Sequence, residues 1–395
     1  MKKIYRLSIE FYFILILFYG IIVRITIENN FLFSIKTIIP EITLLTICIL
    51  SLISILKNKK INKITIIGIL YLSILIFLNL KTSLDSNILY FFRDWFISFI
   101  YLTLVINYNV SKNEKQKIIE KLVKIFIVFI VFGFLLAVLQ KYFGWQWTSK
   151  FYTGYEFYGL DEKSKIKIWT SSGVLRVPSL TGNSVSFAFY NLIGFILLNH
   201  GYKGKFFKLM LEVLTFINIL LSNNKTAMII FIILTLYFIF IKANKYFKIL
   251  ILDFFIIISF VIVYYLYKID TKIFFSMKER FIYWENIFNS KDLIDIFLPR
   301  DIFNSSILVF DNFYIASIFM IGVIGVLVFG VIMYYCYKNT NQYNRGLSKE
   351  LLIVFLVTSI TTNISQGRSY LMPFLVIYVL LSQKDILIDK ESVCI

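Results

Sequence analysis

The segment LVKIFIVFIVFGFLLAVLQKY, residues 122–142, decides the fold class of this chain. Between Lys124 and Gln140 it contains no charged or amide side chain. A helix needs about 20 mostly apolar residues to cross a bilayer, and this segment provides them. The rest of the chain resembles it, since 59% of the 395 residues are hydrophobic and the mean hydropathy is +0.79. Soluble domains contain roughly 45–50% apolar residues, so the composition predicts a membrane protein.

Apolar segments of similar length recur along the chain and predict an all-α polytopic membrane protein with about twelve transmembrane helices. They lie near 8–24, 37–56, 64–80, 87–106, 122–142, 182–199, 206–221, 226–241, 248–267, 312–335, 350–366 and 370–388. The seventh and eighth segments are short and closely spaced, so they form either two spans or a hairpin that does not fully cross. No repeat, linker or soluble domain interrupts the pattern, which predicts a single integral-membrane domain over residues 1–395.

The net charge of +18 is concentrated in short clusters between alternate apolar segments. The clusters contain Lys2, Lys3 and Arg6; Lys57, Lys59, Lys60 and Lys63; Lys112, Lys115, Lys117, Lys121 and Lys124; Lys203, Lys205 and Lys208; Lys242, Lys245 and Lys248; and Lys338, Arg345 and Lys349. The positive-inside rule predicts that such loops are cytoplasmic. Both termini are therefore predicted to be cytoplasmic, and the two long polar loops, about 143–180 and 268–311, to be extracytoplasmic. The same pattern explains the charge without nucleic-acid binding.

Among the remaining basic residues, five at or near the predicted outer face are candidate site residues. They are Arg93, Arg176, Lys225, Arg280 and Arg368. A solvated surface charge explains each of them singly, and Arg93 can also reach the interface by extending its side chain. As a group beside the ends of spans they predict an anion site, because arginine binds phosphate through paired hydrogen bonds and helix starts favour anions.

Two of the charged residues stand at the mouth of a predicted span. Arg176 opens the stretch Arg176-Val-Pro-Ser-Leu-Thr-Gly-Asn183. Its Pro178, Gly182 and Asn183 predict a constrained turn into the helix, with a cap provided by Ser179 or Thr181. Asp311 begins the tenth span, and two roles are open for it. It is either the N-cap of that helix or a general base at the membrane surface.

The chain offers no pattern for a metal or a disulfide framework. Its one histidine, His200, lies among lysines in a short loop, and Cys48, Cys336 and Cys394 have no ligand spacing. No metal and no cofactor are therefore predicted.

Four segments, in this order, resemble the O-antigen and capsular polysaccharide polymerases (Wzy-type), a family that shares a superfamily with the O-antigen ligases. They are the Arg176–Asn183 stretch continuing into Ser186-Phe187-Ala188; Leu221-Ser222-Asn223-Asn224-Lys225-Thr226-Ala227; Arg280 with Trp284; and Asp311-Asn312-Phe313-Tyr314 followed by Gly322-Val323-Ile324-Gly325. The resemblance covers roughly residues 170–330, and the first 150 residues match only in hydropathy and in Arg93. Two features depart from the family: Lys225 stands where arginine is frequent, and Leu298-Pro299-Arg300-Asp301 replaces a glycine-rich step.

The resemblance implies a metal-independent inverting glycosyltransferase on the outer face of a bacterial cytoplasmic (inner) membrane. It would polymerise polyprenyl-diphosphate-linked oligosaccharide repeat units into O-antigen of lipopolysaccharide, capsule or exopolysaccharide. Asp311 would be the catalytic base, and Arg176 and Arg280, with Arg93, Lys225 and Arg368, would bind the diphosphate and glycan. Its partners would be the lipid-linked donor and acceptor, the bilayer, a chain-length regulator and a flippase.

Two alternatives remain open. The first is an O-antigen ligase of the same superfamily, although ligases typically carry histidine where this chain has Asp311. The second is a lipid-linked oligosaccharide flippase or another transporter. Transporters usually have polar residues at mid-membrane and broken helices, whereas the polar length of this chain lies in its outer loops.

Overall fold

The computed structural model describes residues 1–26, 30–59, 61–79, 97–151, 170–171, 174–242, 282, 285–286, 288–289, 292–300, 313–361 and 371–383. The regular secondary structure of the described part is helical apart from one small hairpin, so the predicted all-α class is confirmed. In that hairpin β1 (Thr170–Ser171) pairs antiparallel with β2 (Val174–Leu175), with Thr170 opposite Leu175. The predicted ninth span and most of the loop 268–311 lie outside the described residues.

The helices are numbered here in chain order. They are α1 (Lys2–Leu17), α2 (Tyr19–Thr26), α3 (Asn30–Asn58), α4 (Lys63–Asn79), α5 (Ile97–Val105), α6 (Lys112–Thr148), α7 (Ser184–Gly201), α8 (Lys205–Ser222), α9 (Lys225–Lys242), α10 (Leu293–Phe297), α11 (Phe313–Asn339), α12 (Gln342–Thr361) and α13 (Leu371–Ser382). Short 3₁₀ turns follow α6 at Ser149–Phe151 and precede α7 at Ser179–Thr181.

Several of these helices have the length and composition of membrane spans. Among the described residues, three are long and apolar enough to cross a bilayer: Ile38–Asn58 of α3, Lys112–Phe151 and Phe313–Asn339. The pair α1 and α2, bent by 69°, would make a fourth if it is one broken span. Large apolar side chains on the outside, such as Phe77 and Leu327, suit a lipid surround. The count of twelve spans and the sidedness of the loops stay predictions.

Two helices form the centre of the assembly. Every residue of α13 is buried, and so is α7 from Ser186 to Leu198. A helix that is apolar on all sides has no face for water, so it lies either within protein or against lipid, and in these two helices it is protein that covers every side. The helices α6, α8, α9 and α12 pack around α7, and α5, α11 and α12 pack around α13. The assembly is thus built on two central helices, which share α12 as a neighbour.

The helix ends beside the basic clusters contact one another. Arg6 lies 3.7 Å from Glu114, which joins the starts of α1 and α6. Asn62 donates a hydrogen bond to the hydroxyl of Tyr335, which joins the start of α4 to the end of α11. Further contacts of this kind are His200 with Glu350 at 2.8 Å and Lys349 with the ring of Tyr237 at 5.2 Å. These helix ends therefore share one end of the assembly, which we call the basic end.

Candidate functional site

Two of the six predicted site residues lie in the described part of the chain. Arg176 precedes α7, and Lys225 is the first residue of α9. The last turns of both helices lie at the basic end, where His200 contacts Glu350 and Tyr237 contacts Lys349. Both helices therefore begin at the opposite end of the assembly. The other four predicted residues lie outside the described residues, and their roles stay predictions: Arg93, Arg280, Asp311 and Arg368.

The segment 176–183, called the Arg176 turn, connects β2 to α7. Arg176 is half-buried, and its Nε atom is buried. After the 3₁₀ turn at Ser179–Thr181, the chain reverses at Gly182 with φ of 75°, a conformation that glycine adopts without steric cost. The predicted constrained turn before the sixth span is thereby confirmed.

Asn183 is the N-cap of α7. Its Oδ1 atom accepts a hydrogen bond from the backbone N–H of Val185 at 2.8 Å. The prediction that Ser179 or Thr181 caps this helix is wrong. The Thr181 hydroxyl lies within the turn instead and donates to the Asn183 carbonyl at 2.7 Å. The reversal at Gly182 separates both hydroxyl residues from the helix, so only the side chain after it reaches the first free N–H groups.

Helix α6 holds the middle of the Arg176 turn. Ser179 has φ of 47°, a left-handed conformation that costs a non-glycine residue roughly 1–2 kcal/mol. Its N–H donates to Gln140 Oε1 at 2.8 Å, and its hydroxyl donates to the Gly133 carbonyl at 2.7 Å. The Gln140 side chain is fully buried, and its Nε2 donor has no hydrogen-bond partner among the described residues. Strain that the surroundings hold in place is common at functional sites.

The break between α1 and α2 provides the opposite wall of the turn. Gly20 lies there, and a Cβ atom on it would be 2.4 Å from the backbone nitrogen of Gly182 and 2.8 Å from the carbonyl oxygen of Leu180. Real Cβ contacts are not this short, so only glycine permits the approach. The Arg176 turn therefore packs directly against Gly20 of α2, and α6 holds it through the two hydrogen bonds of Ser179.

Helix α6 ends in a kink close to the same turn. Gly144 has φ of 71° and ψ of −162°, which interrupts the helical hydrogen bonds. The Thr148 hydroxyl donates to the freed carbonyl of Gln140 at 2.8 Å or of Gly144 at 2.7 Å. Gln140 is thus fixed through its backbone by Thr148 while its side chain holds the turn.

The Arg176 turn also runs beside the connection between α8 and α9. The N–H of Val177 donates to the Leu221 carbonyl at 3.3 Å. On the other side of Arg176, Asn223 Nδ2 donates to the carbonyl of Val174 in β2 at 3.4 Å. Lys225, which is exposed, follows two residues later. Two predicted site residues from distant parts of the sequence are thereby brought onto adjacent segments.

The electrostatics of this end favour an anion. Two helices begin here, and each helix start carries partial positive charge on its free N–H groups. Arg176 and Lys225 add two full positive charges on segments that contact each other. Such a combination is a common way to bind phosphate or diphosphate groups.

A second irregular region lies in α11. Gly322 has φ of 68° and breaks the helix. A Cβ atom there would be 2.3 Å from the carbonyl oxygen of Phe297, so segment 292–300 packs directly against the kink. The hydroxyl of Tyr71 donates to the carbonyl of Ile321, one of the groups freed by the break. The predicted Gly322–Gly325 motif therefore marks a backbone crossing, about ten residues after Asp311 along the chain.

A buried amide pair joins the helices beneath the Arg176 turn. Asn218 of α8 donates to Asn191 Oδ1 of α7 at 3.0 Å and to the Ile130 carbonyl of α6 at 3.1 Å. Asn191 in turn donates to the Phe187 carbonyl at 2.7 Å. Both asparagines are fully buried. This network ties together the three helices that support the turn.

Sequence reasoning missed the residues that position Arg176. Gly20, Gly133 and Gln140 were each visible only as a lone glycine or amide within an apolar stretch. Tyr71, which contacts the kink in α11, was visible only as one of 26 tyrosines. An isolated glycine in a helical pattern often marks a close approach, but it does not indicate what approaches. No pairing rule in the sequence links residues so far apart.

Comparison of the chain with protein-family models, with curated proteins and with solved structures finds no match. The resemblance to the polymerases therefore rests on the four sequence segments alone. Among the described residues, no three His, Cys, Asp or Glu side chains form a group that could hold a metal ion.

Proposed function

We propose that the protein is a membrane glycosyltransferase that polymerises polyprenyl-diphosphate-linked repeat units on the outer face of a bacterial cytoplasmic membrane. The observation that carries the proposal is the Arg176 turn. It is held by Gln140 and Gly133 on one side, packed on Gly20 on another, and hydrogen-bonded to the segment that leads to Lys225. An arginine on a turn held this firmly, next to the segment that leads to a second cation, suits the binding of a diphosphate leaving group.

The arrangement of the two ends supports the proposed orientation. The basic end unites the helix ends that adjoin the lysine clusters, which the positive-inside rule assigns to the cytoplasm. The Arg176 turn lies at the opposite end, which would then face outward. Lipid-linked repeat units reach a polymerase of this kind on that face.

In the proposed reaction, the acceptor hydroxyl attacks the anomeric carbon of the donor glycan. The hydroxyl proton passes to the Asp311 carboxylate, which acts as general base. The bond from the anomeric carbon to the diphosphate oxygen breaks, and its electron pair leaves with the polyprenyl diphosphate. Arg176 and Arg280, assisted by Arg93, Lys225 and Arg368, stabilise that developing charge. A ligase of the same superfamily would carry out the same transfer onto another acceptor.

A transporter is the second candidate, and two observations favour it. The buried pair Asn191–Asn218 lies within the helices, and α6 and α11 are broken at Gly144 and Gly322. Transporters combine broken helices with polar groups at mid-membrane. However, both hydrogens of the Asn218 amide are donated to protein acceptors, which is what a structural tie between helices requires. The positive charge at the end of the helices favours the polymerase.

A reconstituted assay separates these functions. Purified protein in liposomes is given polyprenyl-diphosphate-linked repeat units, and glycan length is measured by gel electrophoresis. Longer glycans support a polymerase, transfer to a different acceptor supports a ligase, and translocation without elongation refutes the proposal in favour of a flippase.

Variants then test the residues. Arg176→Ala and Asp311→Asn are each expected to lower the elongation rate by about 10²–10³-fold, the effect of removing one preorganised group at a reacting centre. Arg176→Lys retains the charge but not the paired donors, so it should recover only part of the rate. Lys141→Ala removes an exposed cation from α6 and serves as the control. Unchanged glycan length in Arg176→Ala or Asp311→Asn refutes the role of that residue.

A further inference from the structure

One face of α6 is exposed from Lys117 to Tyr142. It carries lysines near the basic end and apolar side chains toward the opposite end, at intervals of three or four residues that keep them on one side of the helix. We call these residues the α6 stripe: Lys117, Lys121, Lys124, Val128, Phe132, Leu135, Leu139 and Tyr142. Because α6 is one of the candidate membrane spans, the apolar part of the stripe is the part that would face lipid.

The length of this apolar part matches the thickness of a bilayer. From Lys124 to Tyr142 the helix rises about 27 Å, at about 1.5 Å per residue. The hydrocarbon core of a bilayer is about 30 Å thick. The non-helical backbone of α6 lies at Gly144, beyond this stretch, so the helical rise applies to all of it. Lys124 and Tyr142 therefore lie near the two boundaries of the hydrocarbon.

Aromatic rings begin where the aliphatic part of the stripe ends. Tyr142 is 82% exposed and Phe143 is 55% exposed, and their ring centres are 5.3 Å apart. The rings continue through Trp147, at 5.3 Å from Phe143, to Phe151, at 4.8 Å from Trp147. We call these four residues the aromatic row. Tyr and Trp side chains, which join an apolar ring to one polar group, collect at the level of lipid headgroups.

A glycan bound near the Arg176 turn is the other partner on which aromatic rings could stack. The geometry of α6 disfavours it. At about 100° per residue, Tyr142 points about 180° away from Gly133 and about 160° away from Gln140, the two residues that hold the turn. The Arg176 turn and the ring of Tyr142 are thus on opposite sides of α6, and the ring continues the lipid-facing stripe.

The same scale gives the depth of the Arg176 turn. The Ser179 hydroxyl donates to the carbonyl of Gly133, whose Cα lies about 13 Å before Tyr142 along α6. Helical carbonyls point toward later residues, so Ser179 lies roughly 10 Å from the level of Tyr142, on the side of the hydrocarbon. Irregular backbone is tolerated at such a depth only where protein covers it, and residues 177–182 are all buried.

The position of α7 agrees with this depth. A Cβ atom on Gly201 would lie 2.6 Å from Val123 Cγ2, so the last residue of α7 is level with Val123. From Ser184 to Gly201 the helix rises about 26 Å, and from Val123 to Tyr142 about 28 Å. The start of α7 is therefore close to the level of Tyr142, and the chain descends to Ser179 before it rises again to begin α7.

We propose that the aromatic row lies in the headgroup layer at the end opposite the basic end, and that the Arg176 turn dips roughly 10 Å below this layer. The partner of the row is the phospholipid interface. Gln140 links the two, because its carbonyl accepts from Thr148 beside the row while its side chain holds Ser179. The inference does not depend on the proposed enzymatic activity, since a transporter would be placed in the membrane in the same way.

Site-directed spin labelling along α6 tests this placement without any substrate. Single cysteines are introduced in a Cys394→Ser background, in which the two other cysteines are buried and are not expected to react. The labelled variants are Lys117→Cys, Lys124→Cys, Leu135→Cys and Tyr142→Cys. The protein is reconstituted in bilayers of phosphatidylethanolamine and phosphatidylglycerol. Depth is measured from collisions of the label with oxygen, which concentrates in hydrocarbon, relative to collisions with a water-soluble nickel chelate.

The four labels should report one crossing of the bilayer. The Leu135 label, which is level with Ser179, is expected about 10 Å deeper than the Tyr142 label. The labels at Lys124 and Tyr142 should lie near the two headgroup layers. Lys117 lies about 10 Å beyond Lys124, so its label serves as the control in water. Thermal melting checks that each variant is folded.

Tryptophan quenching adds a measurement that leaves the stripe unchanged. Phospholipids that carry bromine either near the headgroup or near the end of the acyl chain quench tryptophan at shallow or deep levels. The emission that is lost in a Trp147→Phe variant is assigned to Trp147. It should be quenched more by the shallow bromine than by the deep one.

Three results would overturn the inference. A Tyr142 label as accessible to the nickel chelate as the Lys117 label places the aromatic row in water, where it is free to stack on a glycan. A Leu135 label no deeper than the Tyr142 label places the Arg176 turn outside the hydrocarbon. Trp147 emission that neither brominated lipid quenches removes the row from the interface. None of these results contradicts the proposed polymerase, and absence of glycan elongation would leave the placement standing.

Discussion

Replacement of Gly20 by alanine tests the packing on which the Arg176 turn depends. The added methyl group would lie 2.4 Å from the nitrogen of Gly182 and 2.8 Å from the oxygen of Leu180, and both are backbone atoms that cannot rotate away. Overpacking of this kind costs about 1–3 kcal/mol. Alanine in a helix contributes up to about 1 kcal/mol over glycine, and less in the first turn, where Gly20 lies. The net expectation is a loss of about 1–2 kcal/mol in the free energy of unfolding, together with displacement of the turn.

The matched control is Gly330→Ala, which introduces the same methyl group into another helix where nothing lies within 4 Å. It should gain up to about 1 kcal/mol from helix propensity alone. Thermal melting in detergent micelles, followed by tryptophan fluorescence, should therefore move in opposite directions for the two variants. Glycan elongation by Gly20→Ala should fall together with its stability. A Gly20→Ala protein that melts at or above the unmodified protein would show that the turn does not pack on α2 in this way.

Three further substitutions test the supports of the two irregular regions by the same melting assay. Gln140→Ala should lower the free energy of unfolding by about 1–3 kcal/mol, because it leaves a buried N–H of the Arg176 turn unpaired. The control Gln146→Ala, at an exposed position of the same helix, should change that free energy by less than about 0.5 kcal/mol. Equal effects of the two substitutions would argue against the hydrogen bond. Tyr71→Phe should lower the free energy of unfolding by about 1–2 kcal/mol, since the Ile321 carbonyl freed by the kink then has no hydroxyl donor. An unchanged melting temperature would show that the hydroxyl contributes nothing to stability. Asn183→Ala should lower the free energy of unfolding by about 1 kcal/mol through loss of the α7 cap, whereas Asn183→Asp should retain most of that stability because aspartate also caps helices. An Asn183→Asp protein as unstable as Asn183→Ala would point to a role other than capping.

Much of the helical framework follows from hydropathy. The predicted segments 206–221 and 226–241 correspond to α8 and α9 at Lys205–Ser222 and Lys225–Lys242. A run of apolar residues ended by lysine, asparagine or glycine is a local signal, so its limits are readable from local sequence. The breaks were less readable. The first predicted span divides at Phe18 into α1 and α2, and Gly20, just after the break, packs against the Arg176 turn.

The candidate site was predictable only in part, and for a physical reason. Arg176 and Lys225 were identified as cations without a topogenic role, and Pro178 with Gly182 correctly indicated a turn. The residues that hold that turn were not identified, because Gln140 and Gly20 act across long sequence separations. Their contacts arise only when three helices have packed, and no local pattern encodes them.

The sequence by itself determined that this protein is helical and apolar, that its basic residues cluster between apolar segments, and that a constrained turn precedes α7. Only the tertiary structure decided that α7 and α13 are central while α3 and α4 expose apolar faces. Lipid tails are as apolar as a protein interior, so hydropathy cannot distinguish a helix surrounded by protein from one that faces lipid. That choice depends on shape, on small residues such as Gly20 and Gly133 and on buried hydrogen bonds, all of which exist only between packed helices.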